Sequence, residues 1–194
     1  MSDLINMIGS VMNSGVVDQM TQQTGGDKSQ VTSAIETALP LLVSGLAKNT
    51  SNQQGADSLF GALQNDHSGD VLSNIMGLVS NPQQSDGNGI LGHVFGNNLP
   101  KVEETVSKSS GLDMGSVGQI LITLAPIVMG ILGKKQREDN MDAGSIAGLL
   151  SNTVQEAPPQ QRDLMSQLLD SDNDGSVVDD VAKIGANLLG NFLK

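Results

Sequence analysis

Twelve residues near the end of the chain carry the side chains best suited to chemistry. Residues 170–181 read Asp-Ser-Asp-Asn-Asp-Gly-Ser-Val-Val-Asp-Asp-Val. The carboxylates of Asp170, Asp172 and Asp174, at loop positions one, three and five, can converge on one point, and Gly175 at position six permits the sharp turn that this requires. Ca²⁺ takes six to eight oxygen ligands, whereas Mg²⁺ keeps its waters and demands octahedral geometry. The spacing therefore predicts a Ca²⁺ site.

This loop resembles the calcium-binding loop of the EF-hand family. The resemblance implies that the backbone carbonyl of Ser176 supplies a ligand from position seven. An EF-hand has a bidentate Glu at position twelve, where this chain has Val181. Asp179 or Asp180 could close the site from positions ten or eleven, or water could take their place, so we expect a lowered affinity. The alternative is an acidic, solvated turn, although five aspartates so close together repel one another unless a cation or solvent screens them.

Two predicted helices flank the loop and would position it. Residues 162–169 predict the entering helix, and the segment that follows the loop has an apolar face at helical spacing. The apolar residues of that exiting face are Val178, Val181, Ile184, Leu188, Leu189 and Phe192.

The chain before this region contains two similar segments. Residues 31–48 and 117–134 lie 86 positions apart, and aligning them pairs Pro40 with Pro126, lysine with lysine and most apolar positions with one another. Self-similarity at a fixed offset is typical of a duplicated supersecondary unit. We therefore predict two copies of one helical repeat.

Local signals place helix boundaries within these repeats. Asp27 followed three residues later by Gln30 is a capping-box pattern, and Asp113 occupies the matching position of the second copy. Pro40 and Pro126 lie inside otherwise helical patterns, so we expect each to kink or break its helix.

These patterns predict an all-α protein, with no strand pattern anywhere in the chain. The expected organisation is a first helical repeat over residues 1–80, a second over residues 90–156 and a helix-loop-helix over residues 157–194. Residues 81–89 are rich in turn-forming residues and almost free of apolar ones, which indicates a linker between the repeats.

Composition excludes several classes of function. The 194 residues include no Cys, Trp or Tyr, and the net charge is −11. The missing cysteines exclude disulfide scaffolds, thiol catalysis and cysteine-ligated zinc, and the negative charge argues against nucleic-acid binding.

Gly87, Gly89 and Gly92 match a dinucleotide fingerprint in form, but no strand precedes them, so we expect an ordinary turn. No nucleophile with its base can be assembled, and we predict neither an enzyme nor a small-molecule substrate.

One segment is long enough to be a membrane span. Residues 114–133 contain no charged side chain, but the continuous apolar part covers only residues 120–132. We interpret this segment as a buried core helix rather than a span. The N-terminus has no basic segment before its apolar residues, so we expect no secretory signal and a cytoplasmic location.

The proline-centred segment Leu-Pro-Leu-Leu, its repeat Ala-Pro-Ile-Val and the C-terminal acidic loop together resemble the YidB-like family, domain of unknown function 937, over essentially the whole chain. The resemblance implies a bacterial, all-helical, cytoplasmic protein without an established role. It transfers no catalytic residues.

The interpretation favoured by these features is a non-enzymatic helical scaffold or interaction protein whose C-terminal helix pair is ordered by Ca²⁺. The alternative is a homo-oligomeric or filament-forming assembly protein in which the acidic loop is only structural. In either case the expected partner is a second copy or another protein, bound through helix faces. Neither nucleic acid nor a membrane is expected as a partner.

Overall fold

The protein is all-α in the computed structural model, which describes residues 3–12, 14–67, 69–158 and 162 and contains no strand among them. The α-helices are α1 (Asp3–Val11), α2 (Ser14–Thr24), α3 (Lys28–Asn49), α4 (Gln53–Asn65), α5 (Ile75–Ser80), α6 (Gly87–Phe95), α7 (Leu99–Ser110), α8 (Met114–Glu138) and α9 (Ala143–Gln155). Short 3-10 turns occur at Asp70–Asn74, Pro82–Gln84 and Gly96–Asn98.

The start of α3 is set by local hydrogen bonds. The Asp27 carboxylate accepts a hydrogen bond from the backbone N–H of Gln30 at 2.9 Å, and the Gln30 side-chain oxygen accepts one from the backbone N–H of Asp27 at 3.0 Å. This reciprocal pair satisfies two donors that a helix start otherwise leaves unpaired. At α8 the Asp113 carboxylate accepts from the backbone N–H of Ser116 at 3.0 Å. Both predicted caps are confirmed.

The two internal prolines do not end their helices. α3 continues through Pro40 and α8 through Pro126, so neither proline breaks its helix, and a kink at either proline stays a prediction. A proline removes one helical hydrogen bond and crowds the preceding turn. Buried apolar residues lie on both sides of each proline, from Val31 to Leu46 and from Val117 to Leu132, and their burial offsets that loss.

α8 is the central helix of the fold. By length and composition alone it could cross a membrane, but 83 % of its most apolar window is buried inside the protein. It contacts α1, α2, α3, α4, α5, α6 and α7. Such burial favours the interpretation of this segment as a core helix.

Helices from both halves of the chain interleave around one core. α3 packs against α7 and α9, and α8 packs against α2 and α4. Side-chain hydrogen bonds also join the halves: the Gln30 amide donates to the Gly111 carbonyl at 3.1 Å, and the Asn49 amide donates to the His93 carbonyl at 2.8 Å. The halves are therefore held together by packing and by polar contacts.

The helix boundaries follow the offset seen in the sequence. α3 and α8 begin 114 − 28 = 86 residues apart, and α2 and α7 end 110 − 24 = 86 residues apart. The predicted linker, residues 81–89, contains the 3-10 turn Pro82–Gln84 and the first residues of α6, with Pro82 and Gly87 buried. The duplication and the domain boundaries stay predictions.

Substitution of Gly133 tests how closely the other helices pack against α8. A methyl group at this buried position of α8 would meet the backbone carbonyls of His67 and Leu63, whereas at Gly148 in α9 it would meet nothing. We expect Gly133→Ala to lower the free energy of unfolding by about 1–3 kcal/mol, although alanine is the better helix former. The control Gly148→Ala should raise it by up to ~1 kcal/mol. Denaturant unfolding followed by circular dichroism measures both, and equal effects would contradict the packing.

The helix caps predict a pH dependence of stability. Hydrogen bonds hold the pKa of each cap carboxyl below its ordinary value: at Asp27 chiefly from the Gln30 backbone N–H, and at Asp113 and Asp142 chiefly from the side chains of Ser116 and Ser145 respectively. A group whose pKa is lowered on folding contributes stability above its unfolded pKa and loses that contribution as the pH falls through its folded pKa.

We therefore expect acidification below about pH 4 to remove this contribution. A variant with Asp27→Asn, Asp113→Asn and Asp142→Asn keeps an oxygen acceptor at each cap but cannot titrate there. Its melting temperature should fall less than that of the unaltered protein between about pH 5 and pH 3. Thermal melts followed by circular dichroism measure this difference, and parallel pH profiles would show that the caps do not titrate with folding.

Candidate functional site

The predicted Ca²⁺ ligands lie outside the described residues. They are Asp170, Asp172, Asp174, Ser176, Asp179 and Asp180. The same holds for the exiting helix and for all of the entering helix except Arg162. Within the part of the chain that the structure describes, no group of three or more His, Asp or Glu side chains could hold a metal ion. The calcium loop therefore stays a prediction.

The described residues form an apolar groove between α1, α3 and the C-terminal end of α9, with a volume of about 700 Å³. Its lining residues are Ile5, Asn6, Gly9, Met12, Val17, Thr32, Ile35, Glu36, Leu39, Pro40, Val43, Thr153, Val154, Glu156, Ala157 and Pro158.

One stripe of α3 forms the floor of the groove. The α3 lining residues recur at intervals of three and four between Thr32 and Val43, which places them on one side of a helix with 3.6 residues per turn. Ile35, Leu39 and Val43 are buried in this stripe. α3 also packs against α7, α8 and α9, so it has apolar residues on more than one side.

The polar groups of the groove lie mainly at its edge. The side chains of Glu36 and Glu156 are exposed, so the lining carries two carboxylates and no basic side chain. The hydroxyls of Thr32 and Thr153 donate to the carbonyls four residues earlier in their own helices, both at 2.8 Å. Since these hydroxyls are used within the helices, the groove is suited to an apolar ligand with a basic edge.

Pro40 deprives one backbone carbonyl in the groove wall of its helical hydrogen-bond donor. A proline has no N–H, so it cannot donate the helical hydrogen bond to the carbonyl four residues earlier. In α3 that carbonyl belongs to Glu36, which lines the groove together with Pro40. The backbone oxygen of Glu36 therefore lacks the donor that any other residue at position 40 would supply.

The glycine-rich segment at residues 87–92 lies in α6, so the prediction of an ordinary turn there is wrong, and the segment has a packing role. Gly87 begins α6, and a methyl group at this position would meet the backbone carbonyl of Ile122 in α8. The glycine thus lets α6 approach α8 closely. No strand precedes it among the described residues, so the segment does not have the setting of a dinucleotide site.

The family described as bacterial protein of unknown function (DUF937) matches residues 6–135. The chain belongs to the DUF937 family. No curated protein and no solved structure matches it. The DUF937 match covers most of α1, all of α2–α7 and α8 as far as Lys135, so it includes two walls of the groove. The α9 wall and the acidic loop lie beyond the match.

The sequence did not predict the groove of this DUF937 protein. Its walls come from segments at residues 5–17, 32–43 and 153–158, and no local pattern joins the three. One signal was present in α3. Its apolar residues around Pro40 occupy more of the helix circumference than a single buried face requires.

Proposed function

We propose that this DUF937 protein is a non-enzymatic helical interaction protein that binds Ca²⁺ through residues 170–181. The observation that carries the proposal is the short distance along the chain between the groove and the predicted loop. Ala157 and Pro158 form part of the wall of the apolar groove, and the predicted loop begins twelve residues after Pro158 (170 − 158 = 12). A cation site and an apolar docking surface are thus adjacent in the chain.

Calcium would act by neutralising the loop. Residues 170–181 carry five of the carboxylates behind the net charge of −11, and their mutual repulsion opposes a compact turn. Ca²⁺ bound by Asp170, Asp172, Asp174 and the carbonyl of Ser176, with Asp179 or Asp180 closing the site, would remove this repulsion and fix the angle between the flanking helices. Because Val181 stands in place of the bidentate Glu, we propose a site weaker than that of a complete EF-hand.

The proposed setting is the cytoplasm, with neither nucleic acid nor a membrane as partner. The supporting observations are the acidic composition and the position of the one described helix that is apolar enough to span a membrane, which is mostly buried in the core. Nucleic-acid binding requires clustered basic side chains to neutralise phosphates, whereas this chain has 10 Lys and Arg residues against 21 Asp and Glu residues.

The second candidate function is homo-oligomeric or filament assembly, with the loop only structural. Met76 in α5 and Met114 in α8 favour it, since these large apolar side chains are 49 % and 45 % exposed. Light scattering with and without a chelator separates the two candidates. Assembly that is indifferent to the chelator supports this second function and contradicts the first.

Calorimetric titration of Ca²⁺ into the metal-free full-length protein tests the proposed site. We expect binding in the micromolar to millimolar range, and a loss of at least tenfold in affinity for the double variant Asp172→Ala/Asp174→Ala. The control Asp57→Ala/Asp86→Ala removes two exposed carboxylates far from the loop in sequence and so changes the net charge equally. It should bind as the unaltered protein does.

The thermal transition is measured in parallel with Ca²⁺ and with chelator, because a bound ligand stabilises the state that binds it. The absence of both heat and a shift in melting temperature at millimolar Ca²⁺ would overturn the calcium proposal. Equal loss of affinity in the two double variants would also overturn it, since the effect would then depend only on net charge.

A further inference from the structure

The continuous described segment ends at the apolar groove. Pro158 is both a lining residue and the last residue of the continuous described segment. The backbone N–H of Arg162 donates to the Pro158 carbonyl at 3.1 Å, which is the hydrogen bond of a helical turn. The next 194 − 158 = 36 residues therefore start at the edge of the groove.

The last part of these residues has the pattern of a groove ligand. Between positions 181 and 192 the apolar residues Val181, Ile184, Leu188 and Phe192 recur at helical spacing. A helix over these twelve positions is about 18 Å long, and the twelve positions of α3 from Thr32 to Val43 are equally long. An amphipathic helix docks in an apolar groove through anchors at such spacing.

The connection allows this segment to return to the groove. The predicted helix at residues 162–169, the predicted loop at residues 170–180 and the predicted second helix would together make a helix-loop-helix unit, in which the loop would turn the chain back. The predicted entering helix, with eight residues, is about 12 Å long. The final segment therefore remains within reach of the wall from which the chain departs.

The charges of the two surfaces are complementary. Residues 181–192 carry Lys183 and no acidic side chain, and Lys194 follows them, in a chain whose net charge is −11. The groove carries exposed carboxylates at Glu36 and Glu156 and no basic side chain in its lining. A basic segment with apolar residues on one side therefore matches an apolar groove that has carboxylates at its edge.

We propose that residues 181–192 of the same chain pack as a helix into the groove between α1, α3 and α9. The inference rests on the proposed function in taking the segment after the acidic loop as the exiting helix, but it does not require a bound cation.

A single tryptophan introduced into the full-length protein reports on the docking. The chain has no Trp or Tyr, so Phe192→Trp is observed without background. We expect its emission at a shorter wavelength than that of free tryptophan, with acrylamide quenching reduced severalfold. Adding Ile5→Lys, a half-exposed groove position, should restore a solvent-exposed emission, while adding Met76→Lys, an exposed position outside the groove, should not.

Engineered thiols give a second measurement, which reports directly whether two positions lie close together. The protein has no cysteine, and a side chain at Gly9 in the groove or at Gly148 outside it meets no neighbouring atom. We expect mild oxidation of Gly9→Cys/Leu188→Cys to form a disulfide within one chain in most molecules. The matched pair Gly148→Cys/Leu188→Cys should form at least tenfold less of it.

Three outcomes would overturn the proposal. The first is tryptophan emission and quenching like those of free tryptophan while circular dichroism shows a folded protein. The second is crosslinking between chains that increases with protein concentration, which would assign the groove to a second copy. The third is equal crosslinking at Gly9 and Gly148.

The failures of this proposal and of the calcium proposal are distinguishable. Protection of the tryptophan in chelator together with no calcium heat supports the docking and contradicts only the calcium site. Calcium heat together with an exposed tryptophan contradicts only the docking.

Discussion

The fold depends on the burial of α8. This helix is apolar around almost its whole circumference, so it is stable in water only when other helices cover every side. Seven helices contribute to that cover, and they come from both halves of the chain. The halves therefore cannot separate without exposing α8, and their interleaving follows from the composition of one segment. The same burial distinguishes α8 from a membrane-spanning helix of equal length and hydropathy.

Close packing around α8 requires small residues where backbones approach. Gly133 lies against the carbonyls of His67 and Leu63, and Gly87 lies against the carbonyl of Ile122. Ser116 is buried at the start of α8, and its hydroxyl donates to the carbonyl of Thr24 at 3.1 Å. The high glycine content of the chain thus has a structural role at these positions, because a methyl group there would force the helices apart.

α3 differs from α8 because the other helices do not cover all of its sides. α7, α8 and α9 pack against it, but the stripe from Thr32 to Val43 faces the groove that α1 and the end of α9 border. The interaction proposed for this protein uses that difference. The proposed occupant, residues 181–192, has apolar residues at helical spacing and one lysine, which suit it to complete the cover of α3.

Interactions within a few residues could be read from the sequence alone. The caps at Asp27 and Asp113 depend on side chains close to the backbone groups that they satisfy, and the all-α class depends on patterns within single segments. The alternating aspartates of the acidic loop are local in the same sense, and they still stand as a sequence prediction. Tertiary structure alone decided that α3 and α8 continue through Pro40 and Pro126, because burial of distant residues offsets the lost hydrogen bonds. It also decided where the groove lies, because residues 5–17 and 32–43 must pack against residues 153–158, more than a hundred positions further along the chain, before its walls exist.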